Sequence, residues 1–313
     1  MLRRVATTLC LLALGLAAAA PAHASFQFLG AWGTVGQGEG QFALPDGIGV
    51  DNAGTVWVAD RDNNRVERFS SNGRYRPFPV LRRQHLSSAP GRLNLPYDVA
   101  PDALGNLYVA DVQNHRIQEF SATGRLIRAW GSRGSGAGQF FQPRGITIDP
   151  FGNVWVADHE NHRVQKFTSD GRFLGKFGGN GGDGTTLGGG FGEFNNPRGL
   201  SSDAEGNIYV ADDANHRIVK LSNDGVFLAM WGRADLQPGT GDGEFDLPYG
   251  TAVDRFGHLW VADTLNNRLV EMTTDGQVIA KYGAGGGDGS PGGGPGEFNQ
   301  IYNVATDCAG NVY

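Results

Sequence analysis

The chain has 313 residues, a formal charge of −6 and 40% hydrophobic residues. An acidic balance opposes general nucleic-acid binding, which relies on Lys and Arg neutralising phosphates. Its 50 glycines follow no three-residue period, which excludes a collagen-like rod and points to many turns.

Residues 1–24 read as a secretory signal peptide cut after Ala24: Arg3 and Arg4 open it, Leu11–Ala20 is apolar, and Ala22-His23-Ala24 is a small-residue cleavage pattern. The apolar run is too short for a membrane span, and no other run is long enough. The expected product, residues 25–313, is exported to the periplasm or medium. It carries 24 basic and 32 acidic side chains, a formal charge of −8. It keeps a single cysteine, Cys308, so packing rather than an internal disulfide must hold it together.

A block of about 50 residues then recurs down the chain, the length expected of a four-stranded propeller blade. Its first copy runs Leu44-Pro45-Asp46-Gly47-Ile48-Gly49-Val50-Asp51, Gly54-Thr55-Val56-Trp57-Val58-Ala59-Asp60, Asn64-Arg65-Val66, Phe69 and Gly73. The Val-Ala-Asp element ends at Asp60, Asp111, Asp158, Asp212 and Asp263. Ile48 and Val50 alternate with glycine as in a half-buried strand; Thr55–Ala59 is β-branched and aromatic and reads as a buried one. Arg65–Phe69 predicts a third strand, and Arg125–Gly131 illustrates the fourth. No stretch carries a helical period. Such a sheet cannot bury both faces alone, whereas a closed ring of them can.

The ends complete the count. Phe26–Gly33 matches a fourth strand, and 298–313 match a first strand and the start of a second. The expected fold is therefore all-β: a six-bladed propeller with blades near 40–80, 93–131, 138–178, 192–232, 243–283 and 296–313. Its sixth blade is composite and truncated at Tyr313, as in a fragment of a longer chain.

Val-Ala-Asp followed by Asn114-His115-Arg116, Asn161-His162-Arg163 and Asn215-His216-Arg217 resembles the NHL repeat, and the resemblance covers nearly all of residues 25–313. Asn64-Arg65 and Asn267-Arg268 lack the histidine. The resemblance implies a β-propeller of the kind found in secreted bacterial proteins, sensor-kinase ectodomains, RNA-binding proteins and an amidating lyase. Similar rings occur in streptogramin lyases and lactonases, so the fold alone does not assign a function.

Three candidate sites follow. The three motif histidines invite a zinc reading, but blade symmetry spreads them around the ring; a turn device is the plainer account, with Asp60, Asp111, Asp158, Asp212 and Asp263 and with Arg65, Arg116, Arg163, Arg217 and Arg268 as structural motif residues. Each Arg is expected to bridge to a neighbouring blade's carboxylate. The second site is one register position near the start of each first strand: Asp46, Tyr97, Arg144, Arg198, Tyr249 and Tyr302, with Pro before the first five. A position that changes chemistry on a constant frame is what a recognition surface looks like, and it should ring the channel mouth. The third is the insert Arg74–Arg92, which holds Arg74, Arg76, Arg82, Arg83, His85 and Arg92 without an acid: a dock for an anionic partner, or a solvated loop. Gly-rich loops with acids (178–193, 239–244, 283–297) resemble calcium-binding nonapeptides at Gly181–Gly184 but read as spacers.

The expected function is a monomeric, non-catalytic scaffold without cofactor, binding a protein, peptide or cell-surface glycan at the channel mouth. The alternative is a metal-dependent lyase or lactonase, with His85, His159 and His258 as first candidates. No Gly-x-Ser-x-Gly elbow or His-Glu-x-x-His motif is present.

Overall fold

The computed structural model describes residues 27–78, 87–183 and 187–313. The signal-peptide reading, together with Arg82, Arg83 and His85, lies outside them. Each repeat begins with a Pro-led strand, Pro45–Val50, Pro96–Pro101, Pro143–Ile148, Pro197–Ser202 or Pro248–Val253. Proline brings no N–H to a ladder, so it suits the first strand position. The Val-Ala-Asp strand pairs antiparallel with it, and the Arg-led strand follows after a single 3-10 turn in four of the blades. Four sheets have four strands in chain order; the first, Pro45–Phe69, has three.

The hydrophobic core lies between blades, as the stacking argument requires. Ala100, Tyr108, Ala110 and Ile117 of the second blade pack on Ile146, Val154, Val156 and Phe167 of the third. The same layer recurs between the third and fourth blades and between the fourth and fifth.

The expectation of six blades is corrected to five. In the sixth sector the described residues form one antiparallel bridge, Thr306 to Val312, flanked by reciprocal Ala305–Tyr313 hydrogen bonds. A fourth strand hydrogen-bonds only to a third, and residues 27–33, having no such partner here, form no strand. Their matched aromatic nevertheless sits where expected. Trp32 lies 6.2 Å from the Tyr313 ring and 6.3 Å from Phe69, as Trp130 lies 6.1 Å from Tyr108 and 6.0 Å from Phe167. Val304 and Tyr313 join the adjoining cores, so the sector is packed on both sides without a sheet.

The first blade departs differently. After Phe69 the chain makes only a bridge from Phe69 to Tyr75, and Phe78 fills the fourth-strand position by packing edge-on to Trp57 at 4.9 Å. Among the described residues, no helix is long and apolar enough to cross a membrane.

Candidate binding cup at the channel mouth

The motif residues form a constant ring of buried braces. Asp158 Oδ2 accepts from Arg163 Nε (2.7 Å), Asn161 Nδ2 (2.9 Å) and Gln165 Nε2 (3.0 Å), and its Oδ1 accepts the Phe141 N–H at 2.7 Å. The guanidinium of Arg163 also donates to the carbonyls of Ser135, Gly136 and Gln139, tying the entry loop to the blade. Asp60–Arg65, Asp111–Arg116, Asp212–Arg217 and Asp263–Arg268 repeat the pair at 2.6–2.8 Å. The Arg therefore pairs within its own blade, not with a neighbour's carboxylate. Five residues and one turn separate the two, and the paired strands bring them face to face. Burial pushes Asp212 and Asp263 up to about 6, which leaves both ionised at neutral pH.

The histidines make the link between blades. Nδ1 of His115, His162 and His216 accepts the backbone N–H of Gln142, Asn196 and Leu247 in the next blade, each at 3.1 Å. In the repeats without histidine, Asn64 Oδ1 accepts from Leu95 N–H (2.8 Å) and Asn267 Oδ1 from Gln300 N–H (2.9 Å). What the site needs is an acceptor on a residue with positive φ, which all five have. Asn is tolerant of that region. Burial lowers the His115 and His162 pKa, consistent with neutral, accepting rings. No three His, Cys, Asp or Glu gather as a metal set among the described residues.

The variable ring lies at one end of the first strands. In each of the five blades the strand register shifts just after the leading Pro, for example between Pro143 and Ile146. A bulge of this kind re-aims a side chain. Asp46, Tyr97, Arg144, Arg198, Tyr249 and Tyr302 all line one cup of about 400 Å³, together with Arg61, Asp62, Leu95 and others from the turns. The alignment of repeats had grouped these six; the geometry brings all of them together.

Their contacts are specific. Arg61 pairs with Asp46 at 2.7 Å and with Asp62 at 3.0 Å. Arg198 binds Asp213 through Nε, donates to the Tyr97 hydroxyl at 2.7 Å, and lies 3.7 Å over the Tyr249 ring. Arg144 lies 5.1 Å over Tyr97, and its Nε is buried without a hydrogen-bond partner. Tyr302 tilts against Tyr249 with ring centres 5.4 Å apart. Burial raises Asp46, an effect Arg61 opposes; burial and then Arg198 lower Arg144.

The residue after each variable position lies against the neighbouring sector. It is Gly47, Gly145, Gly199 and Gly250 in four sectors, where neighbouring first strands approach most closely: a Cβ at Gly145 would stand 1.9 Å from the Arg198 carbonyl oxygen. The exceptions are Asp98 and Asn303, which meet over Gly47, Asn303 Nδ2 donating to Asp98 Oδ1 at 3.3 Å. Asp98 Oδ2 also accepts the Ile146 N–H at 3.1 Å, over Gly145. Burial pushes Asp98 up to about 7. Sequence reasoning missed this pair, although an Asp and an Asn in a glycine register was the available signal.

The remaining candidates are structural in their contacts. His159 is buried beneath the cup, bonded to the Pro197 carbonyl (3.2 Å) and Asn196 (3.2 Å); burial, then Arg144 and Arg198, drive it down to about 2. His258 faces Glu271 (2.9 Å) and Asp254 (3.4 Å) on the fifth blade. Glu193, Glu244 and Glu297 of the Gly-rich loops each accept the N–H of a glycine three residues earlier, which makes them turn caps.

The NHL repeat family matches residues 42–69, 140–167 and 194–221. NHL repeat-containing protein 3 of Mus musculus is 38% identical over 86 residues, 26% of this chain and 24% of that protein. Peptidyl-glycine alpha-amidating monooxygenase of Mus musculus is 35% identical over 114 residues, 35% of this chain and 11% of that protein. The matched stretch thus spans about a quarter or less of these relatives. Among solved structures, a gluconolactonase of Xanthomonas campestris superposes with TM-score 0.59 at 18% identity, over 86% of this chain and 82% of that one.

Proposed function

Because the chain belongs to the NHL-repeat β-propeller family, we propose that it is an exported, non-catalytic scaffold whose channel-mouth cup binds a protein, peptide or glycan ligand. The observation that carries this reading is the convergence of all six variable residues on one cup, above a frame whose chemistry repeats from blade to blade. Tyr and Arg, five of the six, are the types enriched where binding energy concentrates. The residues with enzyme-like chemistry are already committed elsewhere: His159 to Pro197 and Asn196, Asp98 to backbone and Asn303. The leader-like residues 1–24 support export.

The test screens the full chain and an Arg144→Ala, Arg198→Ala, Tyr249→Ala triple variant against glycan and peptide arrays. Hits of the parent should vanish in the variant, since single hot-spot truncations cost about 2 kcal/mol or more. A circular-dichroism melt confirms the variant is folded; Arg144→Gln alone serves if it is not. Hits that survive unchanged in a folded variant sink the reading. A second reading is a lyase or lactonase with its site in the channel, favoured by an amidating monooxygenase and a probable amidating lyase among the relatives. Metal bound stoichiometrically to the purified chain, removable together with an activity, would replace the scaffold reading.

A further inference from the structure

We propose that the cup selects an acidic sugar, the end of a glycan bearing a carboxylate, with Arg144 as the seat of that carboxylate. The proposal rests on the cup being the binding site and names its ligand class.

The charges argue first. Three guanidiniums line the cup. Arg61 is satisfied by Asp46 and Asp62, and Arg198 by Asp213 and the Tyr97 hydroxyl. Arg144 forms no ion pair among the described residues; it lies against Tyr97, feels Asp213 only at longer range, and keeps a buried, unpartnered Nε. A guanidinium's donors match a carboxylate bidentately, and a buried N–H without an acceptor is costly until one arrives. Arg144 and Arg198 come from adjacent blades, whereas Asp46 and Asp62 belong to the first blade. The cup is thus positive on one wall and negative on another, so a ligand is oriented as well as held.

The rest of the lining argues for a sugar. Only Leu95 and Val112 are apolar, and the Gln113 and Gln142 amides add donors and acceptors. The faces of Tyr97 and Tyr249 are already covered by Arg144 and Arg198. A guanidinium thus occupies one face of each ring, which leaves less of it for an apolar side chain. Tyr302, 37% exposed, is the least covered of the three rings and can take the C–H face of a pyranose. A volume of about 400 Å³ suits one or two sugar rings at the end of a glycan.

Isothermal titration of the full chain with digalacturonate, cellobiose and the acidic dipeptide Asp-Glu tests this, on the parent, Arg144→Gln and Arg144→Lys. Digalacturonate should bind at least tenfold more tightly than the other two, and more weakly as salt rises. Arg144→Gln should lose at least tenfold and Arg144→Lys less, with the melting point of each unchanged. Should Arg144→Gln fail to fold, Arg144→Lys and the salt dependence carry the test. Digalacturonate binding no better than cellobiose or Asp-Glu, or at full strength to folded Arg144→Gln, overturns the proposal. A neutral glycan or peptide whose binding the triple cup variant abolishes would overturn this inference while leaving the cup reading intact. Binding indifferent to every cup substitution defeats both.

Discussion

The braces and the cup are both rings, built from residues at matched positions of successive repeats, and they behave oppositely. At the braces the same Asp, Asn and Arg recur with the same bonds, within 0.2 Å for the Asp–Arg pair. At the cup, carboxylate, phenol and guanidinium stand at one register position. A brace residue is surrounded by its own blade, so any change strands a buried partner. In the five blades a cup residue projects from a bulge, where its neighbours are other variable residues and the turn residues beside them. Folding demands are therefore met in the one ring, and chemistry is free to differ in the other.

The sharpest way to break this comparison is Asp158→Ala. It leaves Arg163, fully buried, without its carboxylate and strips the Phe141 N–H of an acceptor. Removing one partner of a buried pair costs about 3–5 kcal/mol. Urea unfolding should show that loss, while Arg144→Gln at the cup, which strands no ion-pair partner, should cost clearly less. Equal costs at the two positions would end the distinction.

Asp98, buried between neighbouring first strands, should make stability depend on pH. Its carboxyl rises from 3.8 to about 7 on folding, so between those values the folded chain holds a proton that the unfolded chain has lost. This contribution is fully present below about pH 4, declines as pH rises, and is gone above about pH 7. The difference in proton affinity is worth roughly 4 kcal/mol at most. The parent-minus-variant stability difference for Asp98→Asn should therefore fall across that range in urea titrations. A flat difference would mean that Asp98 is solvated.

Much of this was legible in the chain because repetition averages out accident. The Arg65–Phe69 strand was read to its ends, and the six cup residues were picked from one register. What stayed hidden depends on a second blade or on irregular chain. The bulge after each Pro has no residue signature of its own beyond the glycines, and the fourth-strand position of the first blade passed to Phe78 across a bridge at Tyr75. The motif Arg was assigned to a neighbour's carboxylate because spacing does not tell which strand turns back. The histidine's role was encoded in its replacements. Asn64 and Asn267 share with it only an acceptor atom at the right reach, which points to a hydrogen bond rather than a metal.

That last point yields the smallest effect and the cleanest one. If His162 serves only as an acceptor, His162→Asn should cost a few tenths of a kcal/mol, while His162→Ala should cost about 1 kcal/mol for the lost bond to Asn196. The parent should also be acid-sensitive at this site in a way the Asn variant is not. Burial lowers the folded pKa of His162 below 6.5, so as pH falls through that value the unfolded chain takes up a proton that the folded ring declines, and stability drops. Burial is what lowers that pKa, against the pull of Glu160, and a proton on Nδ1 would in addition face the Asn196 N–H donor to donor. Melting points of parent and His162→Asn should converge near pH 8 and separate toward pH 5 in favour of the variant. Parallel curves would mean that His162 titrates alike folded and unfolded, and that the strap between blades is held by something other than this ring.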